Sequence, residues 1–226
     1  MNNLLENPVY NALSSGDSSL SRGNDSVKYF DEAVSPFAGF DTGNQHGFEE
    51  LHSLLPAGRK ILYANPLEIK TPEGWKLQHH IKGLQFVYAG NAMPAGDFSN
   101  VIKLSENHID QMVNLAMRTK PGPFASRTIE FGHYHGIFDG DKLVAMTGQR
   151  LHVDNCSEIS AVCTDPLYTG KGYAGTLMLH QLNLILQEGQ VPFLHVRADN
   201  ERAIALYKRL GFQVSRPMQF YFMKRD

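Results

Sequence analysis

The chain has 226 residues, 42% of them hydrophobic and 19% charged, with a formal net charge of −2. This is a globular composition, long enough for one large domain or two small ones, and it excludes a disordered chain. The slightly acidic balance argues against nucleic-acid binding; no window is apolar enough to span a bilayer, and the amino terminus lacks the pattern of a signal peptide, so a cytoplasmic protein without membrane attachment is expected.

Residues 1 to about 30 are rich in Ser, Asn, Asp and Gly and read as loop, with a short helix near 9–13. Residues 36–40 are apolar but irregular. Over 46–55, Phe48, Leu51 and Leu55 recur at helical spacing, and Pro56 and Gly58 follow as stop signals. The runs 60–64 and 76–89 read as strands. Residues 1–100 therefore form an α/β region with no legible chemistry. A second unit, 101–226, opens with Ser105 as the N-cap of a helix carrying Ile109, Met112, Val113 and Ala116. Pro121-Gly-Pro123 ends that helix. Three strands in hairpin order follow over 128–138, 142–153 and 156–164, joined at Asp139-Gly-Asp141 and Asp154-Asn155. Next come a glycine turn, a helix over 174–188 and a strand over 192–196. A helix capped by Asn200 and ended by Gly211 precedes one or two strands within 212–223.

The only cysteines, Cys156 and Cys163, share one strand without metal-ligand spacing. Neither a disulfide framework nor a metal site is expected. His133-Tyr-His135 has no acidic or Cys partner at ligand spacing and reads as strand surface.

The glycine turn Thr169-Gly-Lys-Gly172-Tyr-Ala174 lies between a strand and a helix. Such a turn aims several backbone N–H groups at one point, at the positive end of the helix dipole, and suits a phosphate or pyrophosphate. A P-loop reading fails because Gly172, not Ser or Thr, follows Lys171. Gly170-Lys-Gly172-Tyr-Ala-Gly175 satisfies the dinucleotide pattern, but too little chain follows for the remaining crossovers, and the preceding strands join through tight turns.

Three ordered motifs carry a resemblance: Ser157-Glu-Ile-Ser-Ala-Val-Cys-Thr-Asp-Pro166, Tyr168-Thr-Gly-Lys-Gly-Tyr-Ala174 and Asn200-Glu-Arg-Ala-Ile-Ala-Leu-Tyr-Lys-Arg-Leu-Gly-Phe212. Over about 101–226 the chain resembles the GNAT (GCN5-related N-acetyltransferase) superfamily, in its FR47-like branch. The resemblance implies an α/β (α+β) fold, with a mixed, largely antiparallel twisted sheet flanked by helices, after a smaller α/β region that is compatible with a degenerate GNAT-like half. It implies acetyl transfer from acetyl-CoA to a primary amine, on a small molecule or a peptide, without a metal.

By that resemblance the pantetheine arm lies along Ala161, Val162 and Cys163. The pyrophosphate sits on the amides of Thr169, Gly170, Lys171, Gly172, Tyr173 and Ala174, and Asn200 contacts the arm as well as capping its helix. Thr169 stands where the family carries a long Gln or Arg donor. Tyr207, two turns beyond Asn200, is the expected proton donor to the leaving thiolate, and Glu158 is the candidate base. Alternation along the strand places Glu158 on the face of Ser160, opposite Ile159 and Ala161. The acceptor is expected near Phe124, Tyr134 and Glu158. The alternative is a sensor that holds acyl-CoA and catalyses nothing. Acceptor identity and oligomeric state are not written in the sequence.

Overall fold

A computed structural model describes residues 4–90 and 93–226. The strands are β1 (Ser21–Gly23), β2 (Val27–Phe30), β3 (Ala38–Phe40), β4 (Lys60–Asn65), β5 (Trp75–Tyr88), β6 (Ile102–Lys103), β7 (His135–Asp139), β8 (Lys142–Val153), β9 (Cys156–Thr164), β10 (Val191–Arg197) and β11 (Phe212–Arg225). The α-helices are α1 (Pro8–Ser14), α2 (Gly47–Leu54), α3 (Ile109–Thr119), α4 (Tyr173–Gln187) and α5 (Glu201–Arg209).

β1, β2 and β3 form a small antiparallel sheet, and the other strands form one large sheet in the order β4-β11-β5-β10-β9-β8-β7-β6. Residues on both sides of position 100 share this sheet, because β4 and β5 pair with β11 and β5 also pairs with β10. Within the large sheet β9 and β10 alone run parallel, and α4 is the crossover that such a pair requires.

The sheet buries both faces. On one, α4 and α5 cover Phe86, Ile159, Leu194, Val196 and Phe212 with Met178, Leu182, Ile185 and Tyr207. On the other, α1 and α3 bring Val9, Leu13, Met112 and Leu115 against Met146, Leu151, Phe193 and Phe220. Each such aliphatic side chain contributes about 1.5–3 kcal/mol by leaving water. The segment before β3 is tied down on this second face. Phe37 bridges to Leu62, the Leu62 N–H donates to the Pro36 carbonyl at 2.8 Å, and the Thr128 hydroxyl donates to the Val34 carbonyl at 2.7 Å.

The structure departs from expectation in three of these elements. Residues 21–40, expected as loop and irregular chain, supply β1, β2 and β3. The strand expected over 128–138 is a 3-10 turn at Thr128–Phe131 followed by β7 alone. Gly132 and His133 stand between them at φ 85° and 56°, two consecutive positive values that break the extended run. His135 is a buried residue rather than strand surface, because Gln181 reaches it and the His133 carbonyl from α4. Of the one or two strands expected after Gly211, the chain forms one long strand with a bulge near Val214 and Arg216.

Candidate functional site

Parallel pairing of β9 with β10 stops at Glu158 and Phe193. Beyond that point β9 pairs only with β8, and β10 only with β5, so their facing edges diverge with unpaired backbone groups. Near the mouth of the gap β9 carries a bulge: Met146 faces Cys163 but Gly148 faces Ser160, and Ala161 sits at φ 53°. An inserted residue shifts the in–out alternation by one. Ala161 therefore packs in the same cluster as Cys163 and Phe193, on the side of Glu158, which corrects the face expected for it.

The divergence opens a cavity of about 840 Å³ lined by residues from both faces of the sheet. Ala161, Val162, Cys163, Thr169, Gly170, Gly172, Tyr173, Ala174, Asn200 and Tyr207 all line it. Lys171 does not; its Nζ lies over the Tyr168 ring, 4.7 Å from the centroid. Among the described residues, no protein acceptor is recorded for the N–H groups of Thr169 through Gly175. Gly170 and Gly172 reach this geometry at φ 85° and 83°, and a Cβ at either would meet nothing within 4 Å. Free amides, open space and the start of α4 coincide, as an anion site requires. The Thr169 hydroxyl is turned away and donates to the Pro166 carbonyl at 3.0 Å. Below the loop, Asp165 accepts from the Leu167 N–H at 3.1 Å and pairs with Arg118 at 2.6 Å and Lys142 at 3.1 Å. These bonds hold its carboxyl at about 2 and fix the strand-to-loop corner.

Asn200 caps α5 by accepting from the Ala203 N–H at 3.1 Å. Two turns on, Tyr207 is 7% exposed, edge-on to Phe86 and Phe212, and its hydroxyl has no hydrogen-bond partner among the described residues. Burial pushes that phenol up to about 12. The Cys163 thiol on the cavity wall is pushed up to about 11 by the same cause.

Glu158 is absent from the cavity wall. It is fully buried, with Arg150 Nε and Nη2 each donating to it at 2.9 Å and His195 Nδ1 at 2.9 Å. Burial opposes its ionisation, but the charge of Arg150 and the hydrogen bonds from His195 and Arg150 outweigh that and hold the carboxyl below the usual carboxylate range. The Gln85 amide donates to the Leu5 carbonyl at 2.7 Å and faces His195 Nε2 at 3.1 Å, which leaves Nδ1 as the ring's donor to Glu158. Arg150 lies over Phe37, its Cζ 5.0 Å from the ring centroid, and reaches the cavity.

Sequence reasoning did not find Arg150, nor the wall made by Phe37, Leu62, Ile81, Phe220 and Phe222. These come from five separate segments, and no local pattern links them. Phe124 and Tyr134, expected at the acceptor, pack edge-on against each other outside the cavity wall. Thr164 was also missed; it lines the cavity, and its buried hydroxyl has no partner. No group of three His, Cys, Asp or Glu is placed to hold a metal ion among the described residues, and no described helix is long and apolar enough to cross a membrane.

Residues 134–221 match the FR47-like protein family. A solved structure from Novosphingobium aromaticivorans, described as a putative acetyltransferase of the GNAT family, is 32% identical, covers 99% of each chain and superposes with a TM-score of 0.92. Mycothiol acetyltransferase of Corynebacterium efficiens is 36% identical over 80 residues, 35% of this chain and 27% of that protein. N-alpha-acetyltransferase RimI of Mycobacterium tuberculosis is 39% identical over 84 residues, 36% of this chain and 52% of that protein. The chain thus spans about a quarter to a half of these two curated relatives.

Proposed function

The chain belongs to the GNAT family of acetyltransferases, in its FR47-like branch, and from that premise we propose that it transfers an acetyl group from acetyl-CoA directly to a primary amine. The observation that carries the reading is the opened strand pair whose gap leads to a loop of free amides. A pantetheine arm carries amide groups that match an unpaired strand edge, and a pyrophosphate matches the loop.

The donor enters on the side of α4 and α5, with its diphosphate on the amides of Thr169–Ala174 and its arm beside Ala161, Val162 and Cys163. Lys171 adds charge at the rim and Asn200 stands beside the arm. The acceptor enters from the opposite face, through the Phe37 and Arg150 wall. Holding both reactants in one passage supplies orientation, which is the largest part of what such a transfer needs. An ammonium first gives one proton to solvent. The amine nitrogen then adds to the thioester carbonyl carbon, the C–S bond breaks, and the nitrogen loses its second proton. The thiolate takes a proton from Tyr207, which is restored through solvent. The products are an acetamide, free coenzyme A and one released proton.

A phenol at about 12 is a weak acid beside a free thiol near 8.5. Burial acts on the sulfur as well, however. Burial pushes the Cys163 thiol in the same cavity up to about 11, and the same effect on a thiolate formed there would narrow the gap to the Tyr207 phenol. Glu158, the candidate base, has both oxygens occupied. Its part is to hold Arg150 and His195 in place beneath the acceptor wall, and the amine's protons leave through water.

One observation favours a second reading, an acyl-CoA sensor without turnover: no carboxylate lines the cavity to act as a direct base. Two measurements separate the readings. Calorimetry should show acetyl-CoA binding, and thiol release should depend on an added amine. Binding with no turnover across an amine panel would establish the sensor, and absence of binding would overturn both.

A further inference from the structure

The acceptor end of the cavity has a chemistry of its own. Its wall on the face away from α4 and α5 is apolar, built from Phe37, Leu62, Ile81, Phe220 and Phe222. Among the described residues no Asp or Glu lines the cavity, whereas Lys120, Arg150, His195, Arg197, Arg202 and Arg209 do. The nearest carboxylate to the acceptor wall, Glu158, is fully buried and doubly engaged. A polyamine or a lysine-rich peptide would bring several positive charges here and find no counter-charge, and desolvating an unpaired charge is costly. Arg150 is the cation beside Phe37 at this end, where Lys120 after α3 and the His195 ring also line the cavity. Its Nε and Nη2 are committed to Glu158, but Nη1 has no hydrogen bond among the described residues, and the side chain is 14% exposed. The guanidinium is held by two bonds to Glu158 and sits over Phe37, so the free donor is pre-aimed rather than mobile.

Resting on the acyl-transfer reading, we propose that the acceptor is a small apolar α-amino acid. Its carboxylate pairs with Arg150 Nη1, its side chain lies against the Phe37, Phe220 and Phe222 wall, and its amine points through the gap toward the thioester. The carboxylate supplies the negative charge that the cavity lacks. It also leaves the acceptor with a single amine to lose a proton, and no further cation to bury.

The test is thiol release from acetyl-CoA with L-phenylalanine, L-leucine, their carboxamides, spermidine and tetralysine, beside calorimetry of acetyl-CoA alone. Either amino acid should exceed its carboxamide and both polycations by at least tenfold in kcat/KM. In Arg150→Lys, which keeps a charge for Glu158, the ratio of phenylalanine to phenylalaninamide should collapse toward one. That ratio does not move with a general loss of active protein. Spermidine, tetralysine or the carboxamides turned over as well as the amino acids would overturn the acceptor class while acyl transfer stands. Acetyl-CoA binding with no amino acid acetylated would also overturn it, and failure to bind acetyl-CoA would remove the reading beneath it.

Discussion

Replacing Tyr207 by Phe removes one hydroxyl that has no protein partner, so it leaves the packing against Phe86 and Phe212 intact. The expected result is little change in melting temperature and a fall in amine-dependent thiol release of about 10²-fold or more, the range for a lost general acid. Because burial holds this phenol near 12, it stays protonated through pH 10, and no alkaline loss of kcat/KM below that pH should come from it. Unchanged turnover in the variant would reassign the donor. Glu158 behaves oppositely. Its folded-state pKa is depressed, so its stabilisation is complete above the unfolded value near 4.3 and drains away as pH falls toward the lower folded value. Glu158→Gln should cost about 3 kcal/mol at pH 7, or roughly 6–12 °C in Tm, and should flatten the acid limb of stability, which then rests on Asp165 and on the other lowered carboxylates Asp31, Glu68, Asp97 and Asp199. An identical acid limb in both proteins would show that the trio with Arg150 and His195 is not the linked group. Tyr207 and Asn200 were legible because both lie on one short amphipathic helix. The state of Glu158 was not, because its partners stand on the two neighbouring strands, 8 and 37 residues away.

Among elements, the loop into α4 was legible from Gly170 and Gly172, and β8 and β9 from their alternation and turns. The bulge at Ala161 was not, since Ala in a left-handed conformation leaves no mark in composition. The missed strands β1–β3 are short and built from Ser, Arg, Gly and Lys as much as from apolar residues, so tertiary pairing rather than propensity makes them. For the loop itself, Gly172→Ala is informative. The added methyl meets no protein atom, so the stability loss should be about the 1–2 kcal/mol of a left-handed alanine. The same methyl would occupy the space over the free amides, and acetyl-CoA affinity should fall by more than tenfold in calorimetry. Equal affinity in the variant would move the diphosphate elsewhere.

At the scale of the whole molecule, the large sheet is held from both faces but split between β9 and β10. A ligand arm that pairs with those edges restores the missing ladder. Acetyl-CoA at about 100 times its dissociation constant should therefore stabilise the fold by about 2.7 kcal/mol, roughly 5–10 °C in Tm, and a melt that does not shift would contradict binding at this gap. The α/β order of the chain was legible, but the passage was not, because it depends on where a parallel pairing ends.

Residues from both faces of the sheet line the passage, and on the proposed reading this bears on the order of events. Neither reactant has to vacate the site before the other arrives, and no side chain needs to carry the acetyl group in between. Double-reciprocal plots at several fixed concentrations of one substrate should intersect, whereas a parallel family of lines would mean that the protein itself is transiently acetylated.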